Sequence, residues 1–146
     1  MKLINIPDEH HIVRHCKRKF LIRENGVTVG VFPEFLYLRE SVPPDGSRET
    51  YLSAFYYEFF TGSEAERMAG CASALPFGVK PGAMIRLSAG AIRDEGKVQQ
   101  VPLRVTHEIS NKTIPSKARI DGMPALPNVQ LASSICANAV VEITPS

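Results

Sequence analysis

The feature that most constrains this chain is Asn25-Gly26, which separates two β-rich runs, residues 20–23 and Val27-Thr28-Val29-Gly30-Val31-Phe32. An Asn-Gly pair accepts the left-handed backbone of a two-residue hairpin turn, so the two runs are predicted to be antiparallel strands. With 146 residues, 44% of them hydrophobic, the chain has the size of one domain able to bury a single core without disulfides or metals. Three cysteines, Cys16, Cys71 and Cys136, lie far apart with no paired spacing, which argues for a reducing compartment. No run approaches the length of a membrane span, and the first residues lack the apolar core of a signal peptide. A cytoplasmic protein is expected, and the sequon at Asn111 then carries no meaning.

Upstream of the hairpin, residues 10–19 hold three of the four histidines and the densest positive charge. The β-branched pair Ile12-Val13 favours a strand, on which His11, Val13 and His15 share one face and His10, Ile12 and Arg14 the other. As one turn of helix, the same stretch would instead stand His11 and His15 together, four apart. Downstream, Pro33 interrupts the hairpin, residues 35–39 suit a short extended run, and Pro43-Pro44-Asp45-Gly46 is a loop. Residues 50–52 read as a short strand, with Ser53 capping a helix over 54–60. The aromatics concentrated there are expected in the core, with a tyrosine placed to stack a ring if the histidine strand runs alongside.

Ser63-Glu64-Ala65-Glu66 is a capping box that opens a helix to about Leu75, ended by Pro76 and Gly78. Lys80-Pro81-Gly82 turns the chain into a strand over 83–87, and Ser88 begins a short helix of small residues. Residues 101–107 alternate as a strand whose end presents His107 and Glu108, and residues 110–127 read as a long loop broken by prolines and Gly122. Leu131, Ile135, Ala139 and Ile143 recur near every fourth position, which fits a final helix over 129–143, with Val140–Ile143 also readable as strand. The expectation is one α+β domain over 1–146, with a mixed or antiparallel sheet of about five strands and two or three packed helices.

Net charge is only +2, so the whole chain offers no argument for nucleic acid or an acidic membrane as partner. Its distribution is polarised. Between His10 and Arg23 there are five basic residues and no acid, whereas between Glu34 and Arg67 seven acids face three arginines. That pattern suits an anionic ligand or a charged protein partner, with Arg14, Lys17, Arg18, Lys19 and Arg104 as binding candidates. The elbow of serine hydrolases, the phosphate loop, the dinucleotide-binding glycines and the zinc-protease helix are all absent. The residues left for chemistry are His10, Arg14, His107 and Glu108, with arginine holding an anion and histidine or glutamate moving a proton. If the strand from His10 lies beside the strand ending at His107, Arg14 falls within reach of Glu108. A divalent metal on His11, His15, His107 and Glu108 would need distant strands to converge, so no metal site is assigned, and the residues name no cofactor. A Cys16 nucleophile served by His15 fails on a strand, because adjacent side chains point to opposite faces.

The run His10 to His15, the segment from Thr50 to Phe60, and the late residues Leu103 to Glu108 followed by Pro115-Ser116-Lys117-Ala118-Arg119-Ile120 resemble a family of small uncharacterised bacterial proteins that has no activity to carry over. That family tends to carry histidine where Lys117 stands. The order Arg14, Ser53, Glu108 is similar to compact ADP-ribosyltransferase domains, a resemblance that implies a nucleotide- or NAD-processing enzyme with those three residues in its site. The expectation drawn from charge polarisation without a complete catalytic motif is a small cytoplasmic interaction or accessory protein of a multi-protein bacterial system. The enzyme reading stands as its alternative.

Overall fold

Asn25 and Gly26 both take positive φ, 51° and 79°, as the hairpin turn requires. In the computed structural model of the chain, which describes residues 1–42, 44–75 and 81–143, the strands are β1 (Leu3–Asn5), β2 (His11–Lys17), β3 (Leu21–Glu24), β4 (Val27–Val31), β5 (Tyr51–Tyr56), β6 (Gly82–Ser88), β7 (Arg104–Glu108), β8 (Lys117–Asp121) and β9 (Val140–Ile143). The helices are α1 (Glu64–Ser73), α2 (Ala89–Val98) and α3 (Val129–Cys136). The hairpin β3–β4 forms a sheet of its own, and the other seven strands form one sheet in the order β1-β7-β8-β5-β2-β6-β9. Every pairing is antiparallel among the described residues. No described helix is long and apolar enough to cross a membrane.

The α+β class and the helix count agree with the sequence reading, and the main sheet is larger than the five strands expected. β8 lies in the stretch read as loop. Its flanks at Pro115 and Gly122 look like punctuation, yet Ala118 and Ile120 are fully buried between β5 and β7. β1 is three residues long and gains its strand character only by pairing with β7. The final helix stops at Cys136, and Val140–Ile143 instead pairs with the edge of β6.

Two further segments differ in type. The helix expected over 54–60 is strand to Tyr56 followed by a 3₁₀ turn, Tyr57–Phe59, and Ser53 makes no cap. Burial decides this segment, because Leu52 and Ala54 enter one face of the sheet and Phe55 the other, which only a period of two allows. Residues 33–36, partly overlapping the expected extended run, form a 3₁₀ turn with Pro33 at its start, where the ring already fixes the helical φ. The capping box forms as expected, with Glu66 N donating to Ser63 Oγ at 3.2 Å and Ser63 N to Glu66 Oε1 at 3.1 Å. Pro43, Pro76, Gly78 and Lys80 lie outside the described residues.

Both faces of the sheet are covered. Ile12, Cys16, Leu52, Ile85, Leu87, Val105 and Ile120 pack with Ile92 of α2 and Leu131 and Ile135 of α3. On the opposite face Val13, Phe55 and Met84 pack with Met68 and Cys71 of α1. Central strands buried on both sides read as continuous apolar runs rather than alternating ones.

A cleft in the seam between β2 and β5

β2 pairs with β6 along all of its seven residues, and β5 pairs with β8 at five positions, but β2 and β5 pair only at Ile12↔Tyr56 and Val13↔Phe55. Beyond Val13 the two strands part. Arg14 fills the start of the gap, with its Nη1 donating to the Ser53 carbonyl at 2.6 Å in place of a ladder bond.

The end that stays closed is pinned by side chains. The backbone N–H and ring Nδ1 of His11 are both bonded to the Glu58 carboxylate, each at 2.7 Å. His10 Nδ1 is bonded to the Tyr56 hydroxyl, and the Tyr56 ring lies 5.1 Å from that of His107. His107 Nε2 in turn donates to the Pro115 carbonyl at 2.7 Å. The candidates His10 and His107 are thus brought together, through a tyrosine that the sequence pattern assigns to the core. Burial pushes the Tyr56 hydroxyl above its ordinary value, with Glu58 and Glu9 adding to the effect, so Tyr56 stays protonated and is a weaker acid than a free phenol. The aromatic segment does run beside the histidine strand, as its ring-stacking potential requires.

The open end holds a cavity of about 640 Å³. Arg14, His15 and Lys17 of β2 line it with Lys19 and Phe20 of the following turn, Ser53 to Phe55 of β5, and Phe35, Tyr37, Leu38 and Arg39 of the segment after the hairpin. Glu34, Leu75, Ile114 and Lys117 complete the wall. Neighbouring residues on a strand point to opposite faces, so a cavity touching both Arg14 and His15 passes through the plane of the sheet where the seam opens.

Most of the lining is apolar, and among its charged residues cations outnumber the single acid, Glu34, but differ in how far they are committed. Arg39 is held by Glu49 through both Nη2 and Nε, at 3.1 and 3.3 Å, and Lys117 donates to the Tyr51 hydroxyl at 2.9 Å and stands 3.9 Å from Glu108. Among the described residues, Arg14, Lys17 and Lys19 have no carboxylate within 4 Å. The Arg14 guanidinium lies over the Phe35 ring, 5.5 Å from its centroid, and its Nε is closed off from solvent with no acceptor. Burial lowers its pKa, an effect Glu49 opposes and Arg39 reinforces, yet a guanidinium stays charged throughout the physiological range. The protein therefore carries a half-buried cation whose Nε has no acceptor, and an unsatisfied buried donor costs stability.

Arg14 and Glu108 do not meet. β5 and β8 separate their strands, and Glu108 faces the α1 side, where it accepts from Asn111 Nδ2 at 2.8 Å and stands 3.6 Å from Arg119 Nη1. The site of Arg14, His10 and Glu108 expected from sequence is thus divided among three places. Of the trio that resembles ADP-ribosyltransferases, Arg14 and Ser53 line the cavity and Glu108 does not. His107 lies on the face opposite His11 and His15, and no group of three or more potential metal ligands occurs among the described residues. Cys16 is fully buried opposite His15 on the strand, its thiol pushed up to about 12 mainly by burial. Of the basic binding candidates, Lys17 and Lys19 join Arg14 at the cavity, whereas Arg18 is exposed outside it and Arg104 lies two strands beyond β5. Phe20, Tyr37 and Arg39 are not among the residues that sequence reasoning selects; no spacing marks them, since they reach the cavity only through the path of the chain.

No known protein family, curated protein or solved structure matches this chain.

Proposed function

We propose that this protein is a binding module, a small cytoplasmic accessory protein of bacterial type, whose contact site is the cleft at the open end of the β2–β5 seam. In this reading Arg14 takes up an anionic group of the ligand, and Lys17 and Lys19 draw that group in. The observation that carries it is Arg14 itself, a charged side chain with no carboxylate within 4 Å among the described residues and an orphaned Nε, set against a cavity of about 640 Å³. Pockets of that volume hold whole small-molecule ligands, and an anion against the outer nitrogens of the guanidinium would supply a counter-charge. Three free, buried cysteines support the assignment to a reducing compartment.

Thermal unfolding in the presence of inorganic phosphate, sulfate and simple carboxylates tests the proposal. At least one anion is expected to raise the melting temperature of the wild-type chain, and Arg14→Ala is expected to fold and lose that rise. An equal rise in the folded variant would remove the cleft as the anion site, as would the absence of any rise with every anion.

A further inference from the structure

The ligand class can be narrowed, on the premise that the cleft is the binding site. From the charge and ring inventory of the lining, we infer that the ligand is a phosphate monoester joined to a flat ring, in the form of a free nucleoside monophosphate. The phosphate sits against Arg14, with Lys17 and Lys19 adding to the positive field of the cleft, and the base lies on the half-buried ring of Tyr37, beside Phe20, over whose ring Lys19 Nζ stands at 5.0 Å.

Charge sets the anionic group. Arg14, Lys17 and Lys19 have no carboxylate within 4 Å among the described residues, and the only acid lining the cavity is the exposed Glu34. With Glu34 counted, a single carboxylate would still leave one positive charge unmatched. A phosphate monoester carries about −1.5 to −2 at neutral pH and three acceptor oxygens, enough for the three cations after Glu34 is counted. Arginine also binds phosphate with paired donors, and Arg14 has donors left after its bond to Ser53.

The wall sets the body of the ligand. Phe20 and Tyr37 are half-buried and front the cavity, while Phe35 and Phe55 close it from behind with buried rings. Ring faces stack flat partners of any base, at about 1–3 kcal/mol per stacked base. An alkyl chain would gain no such term from them. The size separates free nucleotides from a phosphorylated side chain of a protein, because about 640 Å³ is more than one phosphotyrosine side chain fills and is within the range for a whole small molecule.

The test is calorimetric titration of the full-length chain with AMP, GMP, CMP, UMP, adenosine, ribose 5-phosphate, decanoate and phosphotyrosine. At least one nucleoside monophosphate is expected to bind at least tenfold more tightly than adenosine and ribose 5-phosphate. Arg14→Ala and the pair Lys17→Ala and Lys19→Ala should each weaken it by tenfold or more, with unfolding transitions confirming that both variants fold. Tyr37→Leu, which keeps apolar volume and removes the ring, should weaken AMP binding while leaving ribose 5-phosphate unchanged. Decanoate binding that depends on Arg14, without nucleotide binding, would overturn this inference and leave the cleft as an anion site. Phosphotyrosine binding more tightly than every nucleotide would overturn it in favour of a phosphoprotein partner at the same cleft. If no anion binds in an Arg14-dependent way, both the inference and the reading beneath it fall.

Discussion

The two ends of the β2–β5 seam are built from neighbouring residues of the same strands and serve opposite purposes. At the closed end, Ile12 and Val13 have backbone partners, His11 is bound twice by Glu58, His10 is bound by Tyr56, and both faces are packed with apolar side chains. At the open end, one residue further on, Arg14 has a backbone carbonyl for one donor, no acceptor for Nε, and, among the described residues, no carboxylate within 4 Å. Polar groups are satisfied where the seam only has to hold, and left unsatisfied where it opens on a cavity. Orphaned polar atoms also occur at Thr28, Arg67 and Thr106, away from the cleft, so it is the orphaned Nε together with the cavity beside Arg14 that sets this place apart from the histidines, which are largely committed to neighbours.

The contrast makes graded predictions. The largest effect is expected from Ile12→Ala at the closed end, which removes a fully buried side chain from the main core and should cost about 3 kcal/mol, or roughly 10 °C in melting temperature by calorimetry. A loss of under 2 °C would mean that the closed end does not hold the strands together. Glu58→Ala should come next, at about 2 kcal/mol, since it strips both the backbone amide and the ring of His11 of a half-buried acceptor. It should leave anion-dependent stabilisation at the open end unchanged, and loss of that response would show the two ends to be coupled.

Ser63→Ala, remote from the seam, should cost about 1 kcal/mol by removing the cap of α1. Its pH dependence has a defined sign. The Glu66 carboxyl is held below its ordinary value first by the backbone amide of Ser63 and then by its side chain. A carboxyl whose folded pKa lies below its unfolded one binds fewer protons when folded, so its stabilisation is present above the ordinary carboxylate range and is lost as pH falls through the folded value. Because Ser63→Ala keeps that backbone amide, Glu66→Gln is the cleaner probe: denaturant titrations from pH 7 downward should show a shallower acid loss in it than in the wild type, and parallel curves would dissociate Glu66 from the cap. The smallest effect is predicted for the coupling of Arg14 with Glu108. A double-mutant cycle should be additive to within about 0.5 kcal/mol, because two strands stand between the side chains. Measured coupling above 1 kcal/mol would contradict the strand order itself.

Much of the local structure is legible in the sequence. The Asn25-Gly26 turn, the capping box at Ser63, the strand through Ile12-Val13 and the strand ending at His107 all rest on contacts within a few residues, where sequence and cause lie together. The segments that depart from expectation share a different cause. β8 is strand because Ala118 and Ile120 are buried from both sides by β5 and β7, and Phe55 is strand because the face toward α1 needs it. Each of these is decided by partners tens of residues away, whose burial outweighs a local preference worth about 1 kcal/mol or less per residue.

The candidate site divides in the same way. Alternation along a strand is enough to place Arg14 on the face opposite His15, and the run of uncompensated charge from His10 to Arg23 points to the strand that lines the cleft. The sequence by itself therefore determined which residues lie on each face of β2 and which carry charge. Only the tertiary structure decided that β5, not β7, lies beside β2, that pairing stops after Val13, and that Phe20, Tyr37 and Arg39 wall the gap left behind. Side-chain alternation follows from the geometry of each residue, whereas the choice of neighbouring strand depends on the sum of burial over the whole sheet, which no segment carries alone.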